Sequence, residues 1–544
     1  MLLSSRGEAF HVIEGAEELR DDVDLECEVA IVGAGPAGLT LARELSAQGI
    51  ESIVLEAGGE GVERPSEAGE QGSPFGVYSL ARTRARGLGG TSQIFLPGGW
   101  RARPLDAIDF EARAATGDVG WPFGYEELEP YYRRADRAVG LGSKGYEAST
   151  WTEHETPLPP DLAGGPVAAS VFQFPRPEVF GERARECARD PLTRIVLRAV
   201  VTGIEGHVAS GRIDGLQIRK RRGGGFRVRA QVYVLAAGGI DNARLLLQAA
   251  TQGSVSDNGL IGRFFMEHLH VNSGVFQPEP SAGASYLGFF EQHRSPRGGT
   301  IQGVLRLVGD ELRRAGLPNA LIRLHPLPIA SASAGGRSAD EILRRLRMRR
   351  WPEHLLGHLA NCVREWRQMA SRVRGKLAGE RAPDRAAVLA IEAEHGAHRD
   401  SRVVLARRRD AFGMPVPRLE WRTPRGDLEA IRRTQELVGA HLERRGIGRI
   451  GSLLGDERPP ARMGGGGHHM GTTRMHPEAG RGVVDPHGNV FGSENLFVAG
   501  SSVFPSAGAS NPTLTIVALA IRLADTLARR LRPGIVLGGG VEAE

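Results

Sequence analysis

The sequence predicts an α/β protein: a Rossmann-like nucleotide-binding domain of parallel strands, interrupted by a second, α+β domain built on an antiparallel sheet. Three observations predict it. Residues 28–58 read as strand, glycine turn, helix and strand, the unit that opens such a domain. At 544 residues the chain is too long for one core and calls for two or three domains. Between 276 and 461, apolar strands alternate with arginine-rich helices and no second nucleotide fingerprint occurs, which marks that stretch as the substrate-binding domain.

In the opening unit, the apolar run Val29–Val32 has the length and β-branched content of a strand buried on both faces. The turn GAGPAG follows at once. Gly33 allows a tight turn, Gly35 lets backbone approach a pyrophosphate, and Gly38 lets helix pack on strand. The helix turns Leu39, Leu41, Ala42 and Leu45 inward and stops at Gly49. A second strand, Ser52–Leu55, delivers Glu56 eighteen positions after Gly38 (56 − 38), where an acid can accept both ribose hydroxyls. Phosphate at the helix N-terminus and ribose on Glu56 define an ADP-containing cofactor. A glycine turn alone would be a weak signal, and this unit leaves FAD and NAD both open.

Composition narrows the class. Apolar and charged fractions are ordinary for a soluble globular protein, and the net charge of +5 rests on arginines without any RNA-binding or zinc-finger motif. Cys27, Cys187 and Cys362 form no CxxC, haem or iron-sulfur pattern and fit a reducing compartment. The N-terminus lacks the apolar region of a signal peptide, and no apolar run spans a bilayer. The expectation is a cytoplasmic protein.

Further along, Arg84–Phe110 contains GLGGTS, in which Gly89, Gly90, Thr91 and Ser92 offer backbone and hydroxyl donors for a second cofactor contact; a plain turn-rich loop explains them equally well. Leu128, Tyr132 and Ala135 lie at helical spacing and form a packing face. Residues 193–235 read as an antiparallel meander inserted between parallel strands, and its last strand ends in AAGGIDNARLLL, another strand-turn-helix with small residues at the turn. Ser338 and Glu341 make a capping box, and Pro352 opens a helix whose Leu355, Leu359, Cys362, Trp366, Met369 and Val373 form one stripe with arginines opposite. Segment 338–376 could lie on an anionic membrane, but burial of the stripe within its own domain is the expectation. Near the C-terminus the tract Gly464–Gly467, which reads as a loop of low rigidity, introduces HHMGTTRM. A short strand, Asn495–Ala499, leaves at Gly500-Ser501, and Pro512-Thr513 opens the final helix, whose positive end suits a cofactor that gathers negative charge. By itself, Asn511 would be read as that helix's N-cap.

The fingerprint, the GGTS loop and the H-x-x-G-T and SNPTLTI motifs resemble the glucose-methanol-choline (GMC) flavoenzyme family. The resemblance spans about residues 27–530. It implies FAD, with GGTS along the cofactor, Val201 presenting backbone to adenine, and Ala236 and Ala237 against the dinucleotide. Ile94 stands where some members carry a histidine bonded to the flavin, which implies non-covalent FAD. The resemblance makes His468 the base and Asn511 its partner, with His469 the adjacent rival. Alcohol oxidation removes a proton from oxygen and a hydride from carbon, so a neutral imidazole suits the proton and an amide can hold the oxygen. No metal is required. His268 and His270 resemble a family contact near the flavin but read first as satisfied structural histidines, and Asp400–Arg422 resembles the strands flooring the substrate cavity.

The expected architecture is an FAD domain from 1–275 (cofactor loop 84–110, inserted meander 193–235) and 462–544, with a substrate domain at 276–461. The expected reaction is oxidation of a CH–OH group to a carbonyl on a sugar, polyol or glycosylated natural product. The rivals are a flavin-dependent lyase or decarboxylase, oxidation of a non-sugar alcohol, a NAD-dependent dehydrogenase, and a non-catalytic membrane-associated protein. The electron acceptor, whether oxygen, quinone or another carrier, is not specified by the sequence.

Overall fold

The computed structural model describes residues 13–65, 70–73, 76–95, 99–113, 117, 119–142, 144–152, 165–279, 285–328, 338–339, 342, 351, 355–364, 366, 370, 385–423, 426–454 and 463–533. The buried run predicted at Val29–Val32 is the end of the strand Asp24–Val32, which sits at the centre of an eight-stranded sheet. Ser52–Glu56 pairs parallel on one side and Gly225–Leu235 on the other. Leu496–Val498 pairs parallel with Gly225–Leu235, and Thr193–Leu197 with Ser52–Glu56. The carboxyl ends of these five strands therefore share one edge, where an open α/β sheet binds its ligand.

One strand was misplaced by sequence. Thr193–Leu197 belongs to the parallel sheet, so the antiparallel meander consists of Val200–His207, Arg212–Arg219 and Gly225–Leu235. The apolar run looked continuous because the break falls on Arg198, a non-glycine residue at φ 55°.

The second sheet also has eight strands, all antiparallel, running His293–Arg294, Thr300–Leu307, Ala320–Pro328, Arg385–Glu394, His268–Pro278 and Gly448–Ser452, with Val167–Phe174 and Met463–Gly465 added at the sides. Its membership thus extends on both sides of 276–461. Ile431, Val438 and Leu442 of the helix Gly426–Arg444 pack into its core. The segment 400–422 does not join this sheet. It forms a separate hairpin, Arg402–Arg409 with Pro415–Glu420, held to the helix Gly238–Thr251 through Arg244, which donates to Asp410 at 2.6 Å and to the Pro415 carbonyl at 2.7 Å.

Leu128, Tyr132 and Ala135 are buried as the helical spacing predicts, and the Tyr132 hydroxyl lies 2.9 Å from Thr515 of the last helix. The expected burial of the arginine-rich segment's stripe fails. No residue of the helix Leu355–Arg364 is buried, Leu359 is 44% exposed and Trp366 60%. Glu341, Pro352, Met369 and Val373 lie outside the described residues. Among the described residues, no helix is long and apolar enough to cross a membrane.

Candidate functional site

At the shared edge of the first sheet the glycine fingerprint packs as its spacing demands. A Cβ on Gly38 would lie 1.9 Å from the Gly33 carbonyl oxygen, so helix Pro36–Ser46 sits on its own turn through a bare Cα. Gly90, at φ 56°, brings the GGTS loop against this turn; its Cβ would come within 2.9 Å of the Gly35 Cα. Glu56 ties the two loops together. Its carboxylate accepts N–H groups from Ala34, Gly58 and Gly87, each at 2.8 Å. Burial pushes this carboxyl up, and those three N–H groups oppose the shift.

A cavity with about 1380 Å³ of space, counting its opening to solvent, lies along this edge. Gly33, Gly35, Glu56, Gly90, Thr91, Ser92, Val201, Ala236, Ala237, Gly500, Ser501, Pro512, Thr513 and His468 all line it. Gly38 and Gly89 do not. Gly38 acts by packing, and Gly89 donates its N–H to the Ala34 carbonyl at 2.9 Å. The dimensions and chemistry fit a dinucleotide: a Cβ built on Gly238 or Gly500 meets no protein atom within 4 Å, and two helices begin at the wall, Pro36–Ser46 and Thr513–Leu531. Asn242 was not anticipated. It accepts from Ala237 N at 2.8 Å and donates to the Ala499 carbonyl at 3.1 Å and to Ser502 Oγ at 3.0 Å, joining two of the turns.

His468 and Asn511 meet beside this cavity. Asn511 Nδ2 is 3.0 Å from His468 Nε2, and Asn511 Oδ1 is buried without a partner. Pro512 holds the N-cap position, so the Asn511 amide is free of capping. Burial, with His268 and His270 adding to it, holds His468 well below the usual imidazole range, so the ring is neutral at pH 7. Its backbone N–H donates to Glu267 at 2.7 Å, and Glu267 also accepts from Gly467 N at 2.9 Å and from the Tyr78 hydroxyl. His469 also lines the cavity, but its ring is engaged by a different partner. Its Nε2 is 3.1 Å from the Tyr78 oxygen, and burial pushes it down to about 3.

The histidines expected to be structural lie beside His468, and His268 is satisfied at both ring nitrogens. His268 Nδ1 lies 2.9 Å from His468 Nδ1, and the His270 ring is 6.0 Å from His468 with its Nε2 buried and unpartnered. Next to His270, Glu392 accepts from Arg101 at 2.7 Å and Arg323 at 2.5 Å, giving a polar wall on the second sheet. The signal was the alternation His268-x-His270 on one strand, which puts both rings on one face. Among the described residues, no group of three or more His, Cys, Asp or Glu side chains could hold a metal.

Residues 397–520 match the family described as GMC oxidoreductase, and residues 26–71 the family described as FAD binding domain. Over 93% of its length the chain is 24% identical to 2-methyl-1,2-propanediol dehydrogenase of Mycolicibacterium austroafricanum, covering 96% of that protein. A C-glycoside 3-oxidase of Arthrobacter globiformis is 38% identical over 133 residues, 24% of each chain. Among solved structures, pyridoxine 4-oxidase from Mesorbium loti shares the fold, with a TM-score of 0.56 and 18% identity over 92% of this chain and 99% of that one.

Proposed function

The chain belongs to the glucose-methanol-choline family of FAD-dependent oxidoreductases, and from that premise we propose that it oxidises a CH–OH group of a sugar, polyol or glycosylated natural product to a carbonyl. One observation carries the reading: a neutral imidazole and an amide, His468 Nε2 and Asn511 Nδ2, meet 3.0 Å apart beside a cavity shaped by a dinucleotide fingerprint. Bound FAD would supply the hydride acceptor. Gly33, Gly35, Glu56, Gly90, Thr91 and Ser92 would hold its ADP and central portions, with Val201, Ala236, Ala237, Gly500 and Ser501 completing the wall. The final helix offers the positive end of its dipole at Pro512 and Thr513.

His468 takes the hydroxyl proton on Nε2 while the Asn511 amide holds the oxygen. Arg101 and Arg323, held by the buried Glu392, and His270 supply polar groups for further hydroxyls, which favours a polyhydroxylated substrate over a simple alkanol. In this reading the substrate domain is the second sheet, which adds Val167–Phe174, the start of His268–Pro278 and Met463–Gly465 to the expected 276–461, and the rest of 1–275 and 462–544 forms the FAD domain. Ile94 leaves the flavin non-covalent. Cys27, Cys187 and Cys362 are not joined in disulfides, which suits the cytoplasm, and oxygen, a quinone or another carrier reoxidises the enzyme.

The test is an acceptor-dye screen of sugars, glycosides, polyols and short diols under nitrogen, repeated in air. Bleaching of the bound flavin by a polyhydroxylated compound supports the reading. Reduction by simple alkanols alone, or by none of the panel, overturns it.

A further inference from the structure

The hydrogen bonds around His468 determine which of its two nitrogens carries the proton. His268 Nε2 lies 2.9 Å from the Gly508 carbonyl oxygen and 3.4 Å from that of Ala507, two groups that only accept. That nitrogen therefore bears hydrogen. A neutral His268 then has its lone pair on Nδ1, which is 2.9 Å from His468 Nδ1. Two lone pairs cannot face each other at that distance, so His468 must donate from Nδ1. Its own lone pair is left on Nε2, where Asn511 Nδ2 stands at 3.0 Å, and the Asn511 amide must present nitrogen there, as it does. Every bond from Asn511 to Gly508 runs in one direction.

We propose that His268 is a positioning residue for the reaction: it accepts the Nδ1 hydrogen of His468 and so selects the tautomer whose Nε2 bears the lone pair that takes the proton. This deepens the reading of His468 as the base and rests on it. The fold fixes His268 independently of His468. The strand His268–Pro278 pairs with Arg385–Glu394, placing His268 opposite Glu394, and Glu394 accepts the Gly508 N–H at 2.9 Å, which holds the loop whose carbonyl orients His268. Both rings are more than nine-tenths buried, so water cannot replace the contact. The titratable and charged groups facing the pair are Glu267, His270, Glu392, Glu394 and Arg101. Each carboxylate among them is already engaged: Glu267 by backbone N–H groups, Glu392 by Arg101 and Arg323, Glu394 by Arg113 at 2.6 Å. None accepts from His468 Nδ1 within hydrogen-bond distance, the nearest being Glu267 at 3.9 Å.

The test reads ring nitrogens directly. Holoenzyme labelled with ¹⁵N-histidine is compared with His268→Leu and His268→Asn, with His468→Gln used to assign the signal. The proposal predicts a pyrrole-type Nδ1 and a pyridine-type Nε2 for His468 in wild type. His268→Leu should lose that pattern, and His268→Asn, whose Oδ1 can stand near the former Nδ1, should restore most of it. A wild-type His468 with hydrogen on Nε2, or an unchanged pattern in His268→Leu, overturns it. Should the leucine variant fail to fold, the wild-type spectrum decides alone. No alcohol is present, so this result stands apart from whether His468 acts as the base, which flavin reduction tests.

Discussion

Replacing Gly38 by alanine tests how the cofactor cradle is built. The added Cβ would sit 1.9 Å from the Gly33 oxygen, whereas ordinary contact begins at 3.4 Å, so about 1.5 Å (3.4 − 1.9) must be recovered. Neither atom is the end of a flexible side chain. The helix Pro36–Ser46 and its turn must separate, and overpacking of this kind costs about 1–3 kcal/mol. Because the displaced turn carries Gly35 and the Ala34 N–H bonded to Glu56, the cost falls on FAD, and at roughly 1.4 kcal/mol per tenfold the affinity should drop about 5- to 100-fold. Gly49→Ala is the internal control. Gly49 lies just past the same helix at φ 72°, and its Cβ would meet no atom within 4 Å. That variant should lose about 1–2 kcal/mol of stability to left-handed strain and keep its FAD affinity. Apoprotein of each is titrated with FAD by quenching of flavin fluorescence, alongside thermal melts. If Gly38→Ala binds FAD as tightly as Gly49→Ala, the packing role assigned to the third glycine is wrong.

Two further outcomes are expected. Denaturation and precipitation should leave FAD in the supernatant, because Ile94 offers no nitrogen for a covalent bond; flavin in the protein pellet would refute this. Asp427, in the first turn of the helix Gly426–Arg444, is pushed up to about 7 by burial, against a Gly396 N–H, and its Oδ2 has no hydrogen-bond partner. A folded-state value above the ordinary aspartate value contributes stability that is complete below about pH 4 and is lost as pH rises through 7. The melting temperature of Asp427→Asn relative to wild type should therefore climb between pH 5 and pH 8, and a difference that stays flat across that range would count against the buried carboxyl.

Much of the cofactor side was legible because its signals are local. A buried strand, three spaced glycines and an acid at the next strand end are read within thirty residues, and Glu56 lies on the cavity wall. The Thr193–Leu197 strand was misassigned because pairing partners are chosen by tertiary context, and an apolar run reads alike in parallel and antiparallel sheets. The glycine tract before His468 invited a different error. It reads as slack, yet Met463–Gly465 pairs with Leu269–Val271, and a Cβ on Gly466 would come within 2.8 Å of both the His270 and His468 rings. Those glycines permit close approach. His268 could not be recognised as the partner of His468 from sequence, since the two are 200 positions apart and meet through a sheet whose register the sequence does not announce. The stripe on Leu355–Arg364 was read by periodicity alone, and periodicity shows which residues share a face without showing whether anything covers it.

The central claim is that His468 removes the substrate proton. The most direct measurement is anaerobic stopped-flow reduction of the bound flavin by a substrate found in the screen, comparing wild type with His468→Ala and His469→Ala. His468→Ala should retain FAD and slow reduction by roughly 10²- to 10⁴-fold. His469→Ala should reduce near the wild-type rate. Because burial and the neighbouring histidines lower the His468 value, the wild-type rate should be level above pH 7 and fall only below the ordinary imidazole range, and that acid limb should vanish in His468→Ala. Reduction at the wild-type rate in His468→Ala, with the loss appearing in His469→Ala instead, would contradict the account and place the base one residue along.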